Sequence, residues 1–431
     1  MKQLAIITDD LTSATDCGIQ VARSGLRTLV LLGEYRITPE SQETDVISID
    51  TDTRGMPANE AYRIVKETTL RIRRDAYENI YKSLDSTLRG NLGAEIDAVM
   101  DVYDFDLAAI APAFPFYGRT TVNGRHFLNG IPLTETEFAR DPRSPVKEDN
   151  LIKLFSSQSK RRVGLLELDI LRGGEVAVLE RMEALRHQGI ELVVFDAQVE
   201  EDLDRIVQTA SKTNCRLLWV GSTGLARCIP TLLRVQTGKT ARSEPPCTTH
   251  QVMLVSGSVS DVTRKQLDTL RAVPDVIMVE MNPLEIIADE ANAKREMERC
   301  RSQLASGLNG GKDIALHLHS SREEVAATRA KGREMGLGET QVSMRVAAAL
   351  ARVTKEIVNK HELRGLILTG GDTSKTICSR LGGIGIELLE EVEPGIPLGR
   401  LLGAGLLVIT KAGGFGTPNS LVNSLRTIKR E

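Results

Sequence analysis

The stretch Tyr81–Asn91, which reads YKSLDSTLRGN, decides how the rest of the sequence is interpreted. A short strand, Ile80–Lys82, leads into it, and an apolar pattern with helical spacing begins directly after it at Leu92. The stretch combines cations, a carboxylate, hydroxyls and a glycine, namely Lys82, Arg89, Asp85, Ser83, Ser86, Thr87 and Gly90. Free backbone N–H groups at a helix start favour anions, and hydroxyls and a carboxylate suit the OH groups of a sugar-like ligand. The turn therefore predicts a site for a polar, anionic small molecule.

A second interpretation of this turn is a capped helix start with an exposed ion pair, in which Ser86 or Thr87 is the N-cap. It explains one hydroxyl and one pair of charges, and it leaves the other groups of the turn without a role. A site explains more of them, since Arg89 is able to hold a carboxylate through two parallel hydrogen bonds. The sequence favours the site.

The composition indicates a soluble globular protein and argues against several partners. The 431 residues are 41% hydrophobic and 26% charged, which is typical of soluble proteins and sufficient for two or three domains. A net charge of −3 and an aromatic content of 3% argue against nucleic acid and against an anionic membrane. The six cysteines are scattered without a CxxC pair, which is typical of reduced thiols and not of a zinc site. We therefore expect a cytoplasmic protein without a structural metal.

The first half of the chain alternates strands and helices, and polar residues follow the strands. Leu4–Thr8 leads to Asp9 and Asp10, and a second strand ends in a turn that contains Arg54. Another strand leads into Pro112–Arg119. Because the carboxyl ends of parallel strands form the ligand-binding edge of open α/β sheets, these turns predict a shared crevice. Asp10 could bind a hydroxyl, act as a base, hold Mg²⁺ or simply cap the following helix.

Two segments interrupt this rhythm. Residues 123–146 are predicted to be mostly irregular, and so long a loop in a compact domain predicts a lid or a binding loop. Residues 236–250 are polar and contain Pro245-Pro246, which is typical of a linker. We therefore expect an N-terminal domain over residues 1–240 and a C-terminal domain over residues 250–431.

The C-terminal part contains three Gly- or Ser-rich turns at the ends of strands, Ser256–Ser258, Thr369–Thr373 and Lys411–Gly416. Glycines allow a phosphate to approach the backbone closely, and three such turns in one domain predict a nucleotide site. A P-loop is excluded, because Lys375 stands where that pattern needs its second glycine.

Together these motifs resemble the four-carbon acid sugar kinase family, which comprises kinases of threonate, erythronate and 3-oxo-tetronate. The resemblance runs from residue 4 to about residue 425 and rests on TDDLT (Thr8–Thr12), KSLDSTLRGN (Lys82–Asn91), PAFPFYGR (Pro112–Arg119), DPRSPV (Asp141–Val146), SGS (Ser256–Ser258), LTGGDTS (Leu368–Ser374) and KAGGFG (Lys411–Gly416). The chain departs from the family at Ser13, where a glycine is usual, and in KAGGFG, where Ser-Gly-Asn commonly precedes Phe-Gly.

The resemblance implies two α/β domains, each with a mostly parallel sheet flanked by helices, and an interdomain cleft. The N-terminal domain would bind the sugar acid through Asp10, Arg54, Lys82, Ser83, Leu84, Asp85 and Arg89. The C-terminal domain would bind ATP through Ser258, Gly370, Gly371, Asp372, Thr373, Gly413, Gly414, Phe415 and Gly416. Arg54, Lys82 and Arg89 would hold the carboxylate of the substrate, while Asp10 and Asp85 would hold its hydroxyls. Mg²⁺ would bridge the ATP phosphates, with Asp372 as the base or metal-orienting carboxylate and Asp10 as the rival candidate.

The expected activity is ATP-dependent phosphorylation of the terminal hydroxyl of a four-carbon sugar acid, with D-threonate or D-erythronate favoured over a 3-oxo form. One alternative is a non-catalytic sensor that binds both ligands without turnover. The other is a hydrolase or aldolase of sugar acids that needs no nucleotide. The motifs do not fix which of these acids is the substrate, because specificity depends on the shape of the cleft, and a homodimer is one of the oligomeric states that the sequence allows.

Overall fold

The structure is a computed structural model that describes residues 3–32, 43–141, 144–233 and 251–429. The chain forms two compact units, Met1–Lys239 and Thr240–Glu431. Each is an α/β unit whose sheet is mostly parallel and flanked by helices, which confirms the predicted fold class. The predicted linker at 236–250 lies outside the described residues, and the interdomain cleft stays a prediction.

The main sheet of the first unit is parallel and contains short, aliphatic strands. The strands of this unit are β1 Leu4–Thr8, β2 Thr28–Leu31, β3 Val46–Asp50, β4 Ile80–Ser83, β5 Leu107–Ala111, β6 Arg119–Val122, β7 Arg125–Leu128, β8 Ile131–Pro132, β9 Val163–Leu166, β10 Leu192–Phe195 and β11 Leu217–Gly221. The order in the main sheet is β2-β3-β1-β4-β11-β5-β10-β9, with every neighbouring pair parallel. Strands β1, β3, β4 and β5 are buried along their whole length, as expected where helices cover both faces of a parallel sheet.

The helices of the first unit are α1 Leu11–Ala22, α2 Ala58–Arg74, α3 Leu92–Met100, α4 Leu151–Gln158, α5 Leu168–Arg172, α6 Glu175–His187, α7 Glu200–Ala210, α8 Thr223–Ala226 and α9 Ile229–Leu232. Short 3₁₀ helices cover Pro115–Tyr117, Leu133–Glu135 and Glu137–Arg140.

The prediction of a long irregular segment at 123–146 is wrong in its first part. Strands β6, β7 and β8 form a small antiparallel sheet in the order β6-β7-β8. Two Asn-Gly pairs, Asn123-Gly124 and Asn129-Gly130, connect these strands, and all four residues have positive φ. Asn-Gly is the strongest short-range signal for a two-residue hairpin turn, so the sequence contained the information that the loop assignment overlooked.

The sheet of the second unit has a parallel centre and an antiparallel edge. Its strands are β12 Val252–Ser256, β13 Val276–Met281, β14 Asp313–Leu318, β15 Gly365–Thr369, β16 Gly385–Glu393, β17 Ile396–Leu402 and β18 Leu406–Lys411, in the order β13-β14-β12-β15-β18-β17-β16. The β16–β17 hairpin, which the sequence analysis did not predict, supplies the antiparallel edge. The helices are α10 Asp261–Arg271, α11 Pro283–Ala288, α12 Glu290–Asn309, α13 Arg322–Glu334, α14 Glu339–Val358, α15 Gly371–Arg380 and α16 Ser420–Lys429.

These strand orders bring the predicted turns together within each unit. In the first unit, β3, β1 and β4 are neighbours, and in the second unit β12, β15 and β18 are neighbours. Because these strands are parallel, the turns after them lie at one edge of each sheet. None of the helices in the described part of the chain combines the length and the hydrophobicity that a membrane crossing requires.

Candidate functional site

The carboxyl ends of β1 and β3 are joined by a dense ion-pair cluster. The Arg54 guanidinium donates from Nε and Nη2 to the two oxygens of Asp9, at 2.8 and 2.9 Å, and from Nη1 to Asp10 Oδ2 at 2.5 Å. Asp10 is also the N-cap of α1, where its Oδ1 accepts a hydrogen bond from the Ser13 N–H at 2.8 Å. The capping interpretation of Asp10 is therefore correct, and the same carboxylate additionally contacts Arg54.

The two carboxyl groups of this cluster have different proton affinities. Burial raises the pKa of Asp9 to about 6, and Arg54 only partly opposes this effect. Burial acts in the same direction on Asp10, but Arg54 and the two hydrogen bonds from Ser13 outweigh it and lower the Asp10 pKa. Asp10 is therefore fully ionised at neutral pH, and Asp9 is the first of the pair to take up a proton as the pH falls.

The turn after β4 forms a second charge cluster. Asp85 Oδ2 accepts hydrogen bonds from Arg89 Nε and from the Thr87 hydroxyl, both at 2.6 Å. Arg89 Nη1 also pairs with Asp141 at 3.2 Å. Although burial disfavours the charged carboxylate, Arg89 and the further cation Arg54 hold the pKa of Asp85 well below its usual range.

The alternative interpretation of this turn as a helix cap is wrong. Helix α3 begins at Leu92, and its N-cap is Asn91, not Ser86 or Thr87. The Asn91 side chain makes no capping hydrogen bond and instead donates to the carbonyls of Thr53 and Met56, at 3.0 and 2.8 Å. It therefore ties the turn after β4 to the turn after β3.

Lys82 has other partners than those predicted for it. Its side chain is 0% exposed. Its Nζ pairs with Glu95 Oε2 at 2.8 Å and donates to the Ser83 carbonyl at 2.6 Å. The other oxygen of Glu95 accepts from the Thr53 hydroxyl at 2.7 Å. A buried ammonium that points at Glu95 does not present itself to a ligand, which corrects the expectation that Lys82 holds the substrate carboxylate.

The other two predicted residues of this strand end, Ser83 and Leu84, are also buried. The Ser83 hydroxyl lies 3.3 Å from the Cys17 sulfur, and the Leu84 N–H donates to the Gly221 carbonyl at 2.8 Å. Both residues therefore fix the end of β4 against its neighbours. Arg119 is buried against the Tyr117 ring, and burial lowers its pKa to about 10.

Gly90 connects the two charge clusters. Its φ is +98°, and a Cβ atom at this position would lie 3.1 Å from Asp9 Oδ2 and 3.5 Å from the Arg54 Cα. The Gly90 N–H donates to the Ser144 hydroxyl at 2.9 Å, and that hydroxyl donates to the Arg54 carbonyl at 3.3 Å. The conformation and the close approach both require glycine here, and the clusters form one polar site.

The sequence analysis missed several residues of this site. Glu95, Ser144 and Asp9 were not among the chosen site residues, although Asp9 and Ser144 lie in the quoted motifs. Glu95 carried a signal of its own, because it lies on α3 at helical spacing from Leu92 and Val99, on the apolar face. A carboxylate on such a face requires a buried partner.

In the second unit, the three predicted turns pack directly against one another. A Cβ atom on Gly257 would lie 1.9 Å from the Thr373 hydroxyl oxygen, and a Cβ on Gly413 would lie 2.3 Å from the Ser258 hydroxyl oxygen. Gly370 has a φ of +100°, and a Cβ there would lie 3.4 Å from the Ser258 backbone nitrogen. The turns that begin at residues 256, 369 and 411 therefore form one continuous cradle in which glycine is required sterically.

Buried donors hold the carbonyl groups of the 411–416 turn. The Lys411 ammonium is 0% exposed and donates to the carbonyls of Ala412 and Phe415, at 2.9 and 3.2 Å. The hydroxyls of Ser260 and Thr263 donate to the Gly413 carbonyl, at 2.6 and 2.9 Å. A turn whose carbonyls accept from these donors has fewer of them directed at a ligand, and none of the three donors is among the residues predicted to bind ATP.

Asp372 lies in the first turn of α15, where the N-cap is Gly370. Its side chain is exposed, and Gly371 and Thr373 flank it in the same turn. Asp372 is therefore not the cap of this helix. A carboxylate in this place is accessible at the edge of the cradle. No group of three or more acidic, His or Cys side chains with metal-site geometry occurs within the described ranges.

Two family models match the chain. The first is described as a sugar-binding N-terminal domain and covers residues 4–229, and the second is described as a nucleotide-binding C-terminal domain and covers residues 253–421. A crystal structure of a Salmonella typhimurium protein shares the fold, with a TM-score of 0.80 at 23% identity over 99% of this chain and 100% of that one.

Curated relatives extend over almost the whole chain. A D-threonate kinase of Salmonella typhimurium is 34% identical, with 99% of this chain and 98% of that protein aligned. A D-erythronate kinase of Heliobacterium modesticaldum is 32% identical over 97% and 95% of the two chains. A 3-oxo-tetronate kinase of Methylobacterium radiotolerans is 27% identical over 96% of both. With both domain models matched and this full-length similarity, the chain belongs to the four-carbon acid sugar kinase family.

Proposed function

We propose that the protein is a kinase that transfers the γ-phosphoryl group of ATP to the terminal hydroxyl of a four-carbon sugar acid, with D-threonate or D-erythronate as the favoured acceptor. The observation that carries the proposal is the cradle of the second unit, where three turns meet at distances that only glycine allows. The polar site of the first unit supports the acceptor half of the reaction, because it combines guanidinium groups with hydroxyl-binding carboxylates.

The acceptor would bind to the partly exposed members of the polar site. Arg54, Asp10 and Arg89 have side chains that are 12, 18 and 23% exposed, so each is within reach of a ligand. Arg54 and Arg89 would hold the carboxylate, and Asp10 and Asp85 would accept hydrogen bonds from hydroxyls. The end of β4 would be held in place by the internal contacts of Lys82, Ser83 and Leu84, which would not themselves contact the acceptor.

The nucleotide would bind to the cradle, whose residues fit a phosphate chain. Ser258, Gly370–Thr373 and Gly413–Gly416 line turns with little side-chain bulk, and α15 presents its N-terminus there. When bound, Mg²⁺ and ATP would supply the phosphoryl group and neutralise its charge. Asp372, exposed in the first turn of α15, would orient the metal or the attacking hydroxyl. Asp10 is the weaker candidate for a base, because its lowered pKa makes it a poor proton acceptor.

A coupled ADP-release assay over a panel of C4 and C5 sugar acids tests the proposal. We expect turnover that requires ATP, Mg²⁺ and a four-carbon sugar acid together. Saturable binding of both ligands without ADP release would instead identify a sensor. Consumption of the sugar acid without nucleotide would identify a hydrolase or an aldolase. Either result would contradict the kinase assignment.

A further inference from the structure

His126 lies on β7, completely buried against the turn that carries Asp85 and Arg89. Its Nε2 is 3.0 Å from the Ser86 carbonyl oxygen, and its Nδ1 is 2.9 Å from the Thr121 hydroxyl. A carbonyl oxygen only accepts hydrogen bonds, so Nε2 carries the proton and donates to Ser86. Nδ1 of the neutral ring then accepts from the Thr121 hydroxyl. Burial lowers the pKa of His126 to about 4, which keeps the ring neutral and in this tautomer at pH 7.

The hairpin that carries His126 is anchored to the main sheet. The N–H groups of Asn123 and Gly124, in the β6–β7 turn, donate to the two oxygens of Asp196 at 2.7 and 2.9 Å. Asp196 directly follows β10. Thr121 and Ala197 exchange two backbone hydrogen bonds, at 2.8 and 3.0 Å. The hairpin that carries the ring is therefore fixed to the end of β10.

The turn that receives this hydrogen bond needs external support. Leu88 has a φ of +58°, a left-handed conformation that is unfavourable for a branched residue and persists only where surrounding contacts enforce it. Ser86 stands between Asp85 and Thr87 in the chain, and the Thr87 hydroxyl donates a hydrogen bond to Asp85 Oδ2 at 2.6 Å. Fixing the Ser86 carbonyl therefore limits how far Asp85 can rotate.

We propose that His126 is a positioning residue for the polar site, whose neutral ring holds the Ser86 carbonyl and thereby keeps Asp85 and Arg89 in the geometry that binds the sugar acid. The proposal rests on the proposed kinase function for its kinetic consequence. Its structural consequence, protection of the turn at 84–91, does not depend on that function.

Two substitutions at this position separate the hydrogen bond from simple packing. His126→Gln places an amide N–H near the position of Nε2 and keeps the donor, whereas His126→Leu fills similar space without one. We expect His126→Leu to raise the KM for D-threonate by about 5- to 100-fold, because it leaves a buried carbonyl unsatisfied. The KM for ATP should stay within about twofold of wild type, and His126→Gln should restore most of the loss. His187→Leu, at a histidine with a 71% exposed side chain in the same unit, is the matched control.

Hydrogen exchange of peptides that cover residues 84–91 is the second measurement. Faster exchange in His126→Leu than in His126→Gln supports the proposal even if no sugar acid is turned over. This measurement therefore tests the role of His126 independently of the kinase assignment. Equal KM values and equal exchange in the two variants would overturn it. If His126→Leu does not fold, Thr121→Val carries the test, since it removes the hydroxyl that fixes Nδ1. We expect faster exchange at 84–91 from that variant, and unchanged exchange would overturn the proposal.

Discussion

The buried pair between Lys82 and Glu95 leads to a quantitative prediction about stability. The two side chains are 0 and 1% exposed, and Nζ lies 2.8 Å from Oε2. Glu95→Gln preserves size and leaves one oxygen for the Thr53 hydroxyl, which donates to Glu95 Oε1 at 2.7 Å. The single amide oxygen cannot serve both Thr53 and the Lys82 ammonium, and in either orientation of the amide the buried charge loses its counter-ion. We therefore expect Glu95→Gln to destabilise the first unit strongly.

The size of the effect follows from the burial. Removing one partner of a buried ion pair costs about 3–5 kcal/mol. For a unit of this size, each kcal/mol lowers Tm by roughly 2–4 °C, so the melting temperature should fall by about 6–20 °C. The double variant Lys82→Met/Glu95→Leu removes both charges, and apolar residues of similar volume often replace a buried pair at little cost. Thr53 would keep its other contact, the Thr51 hydroxyl at 2.9 Å.

Thermal and urea denaturation of Glu95→Gln, of the single variants Lys82→Met and Glu95→Leu, and of the double variant measure this directly. Glu183→Gln, at an exposed carboxylate paired with Arg186 on the surface of α6, is the control and should melt like wild type. We expect the double variant to be more stable than either single variant. A Glu95→Gln protein that melts within about 2 °C of wild type, or a double variant no more stable than the singles, would refute the reasoning.

Three further predictions concern the proposed ligands. Arg54→Ala should raise the KM for the sugar acid by about 10- to 150-fold and leave the KM for ATP nearly unchanged, since it removes a charge-assisted contact. Steady-state kinetics in which neither KM changes would exclude Arg54 from the site. Asp372→Asn should retain binding of both ligands, measured by calorimetry, and lose most of kcat; a near-normal kcat would return the catalytic role to Asp10. Gly413→Ala would place a methyl group 2.3 Å from a hydroxyl oxygen and should raise the KM for ATP, while an unchanged value would argue against the cradle as the nucleotide site.

The sequence predicted the strand–turn–helix units well because their signals are local. Fully buried parallel strands are continuous aliphatic runs, as in Leu107–Ala111 and Gly365–Thr369, and each ends at the turn that was predicted to follow a strand. The general rule for open α/β sheets predicted that the turns share one edge of the sheet, whereas the order of the strands was not predicted.

Hairpins were predicted less well, although two of them had local signals. The Asn-Gly pairs of β6–β8 fell within residues 123–146, which were predicted as one long irregular loop. Strands β16 and β17 meet at Pro394-Gly395, and Gly395 has a φ of +73°. Strand β16, GIELLEEVE, mixes acidic and apolar residues without the strict alternation that indicates a half-buried strand, and the sequence analysis assigned it no element.

Residues whose role depends on a distant partner could not be predicted from the sequence. Lys82 looked like a ligand because it stands beside a polar turn, but it is the last residue but one of a buried strand, where a cation has to find an internal partner. The partner, Glu95, is on the following helix, and its choice depends on how α3 packs against β4. His126 likewise acquires its role only when the hairpin folds against Ser86.

The pairing within the polar site bears on the kind of ligand that it suits. Arg54 is matched by Asp9 and Asp10, and Arg89 by Asp85 and Asp141, so the described site has acceptors beside every one of these donors. A ligand with only a carboxylate would compete with the resident carboxylates for the guanidinium groups and would gain little. A ligand with adjacent hydroxyl and carboxylate groups can donate to the carboxylates and accept from the guanidinium groups at the same time, and so replaces the contacts that it disturbs. We infer that this alternation of donors and acceptors favours a sugar acid over a neutral sugar or a simple carboxylate.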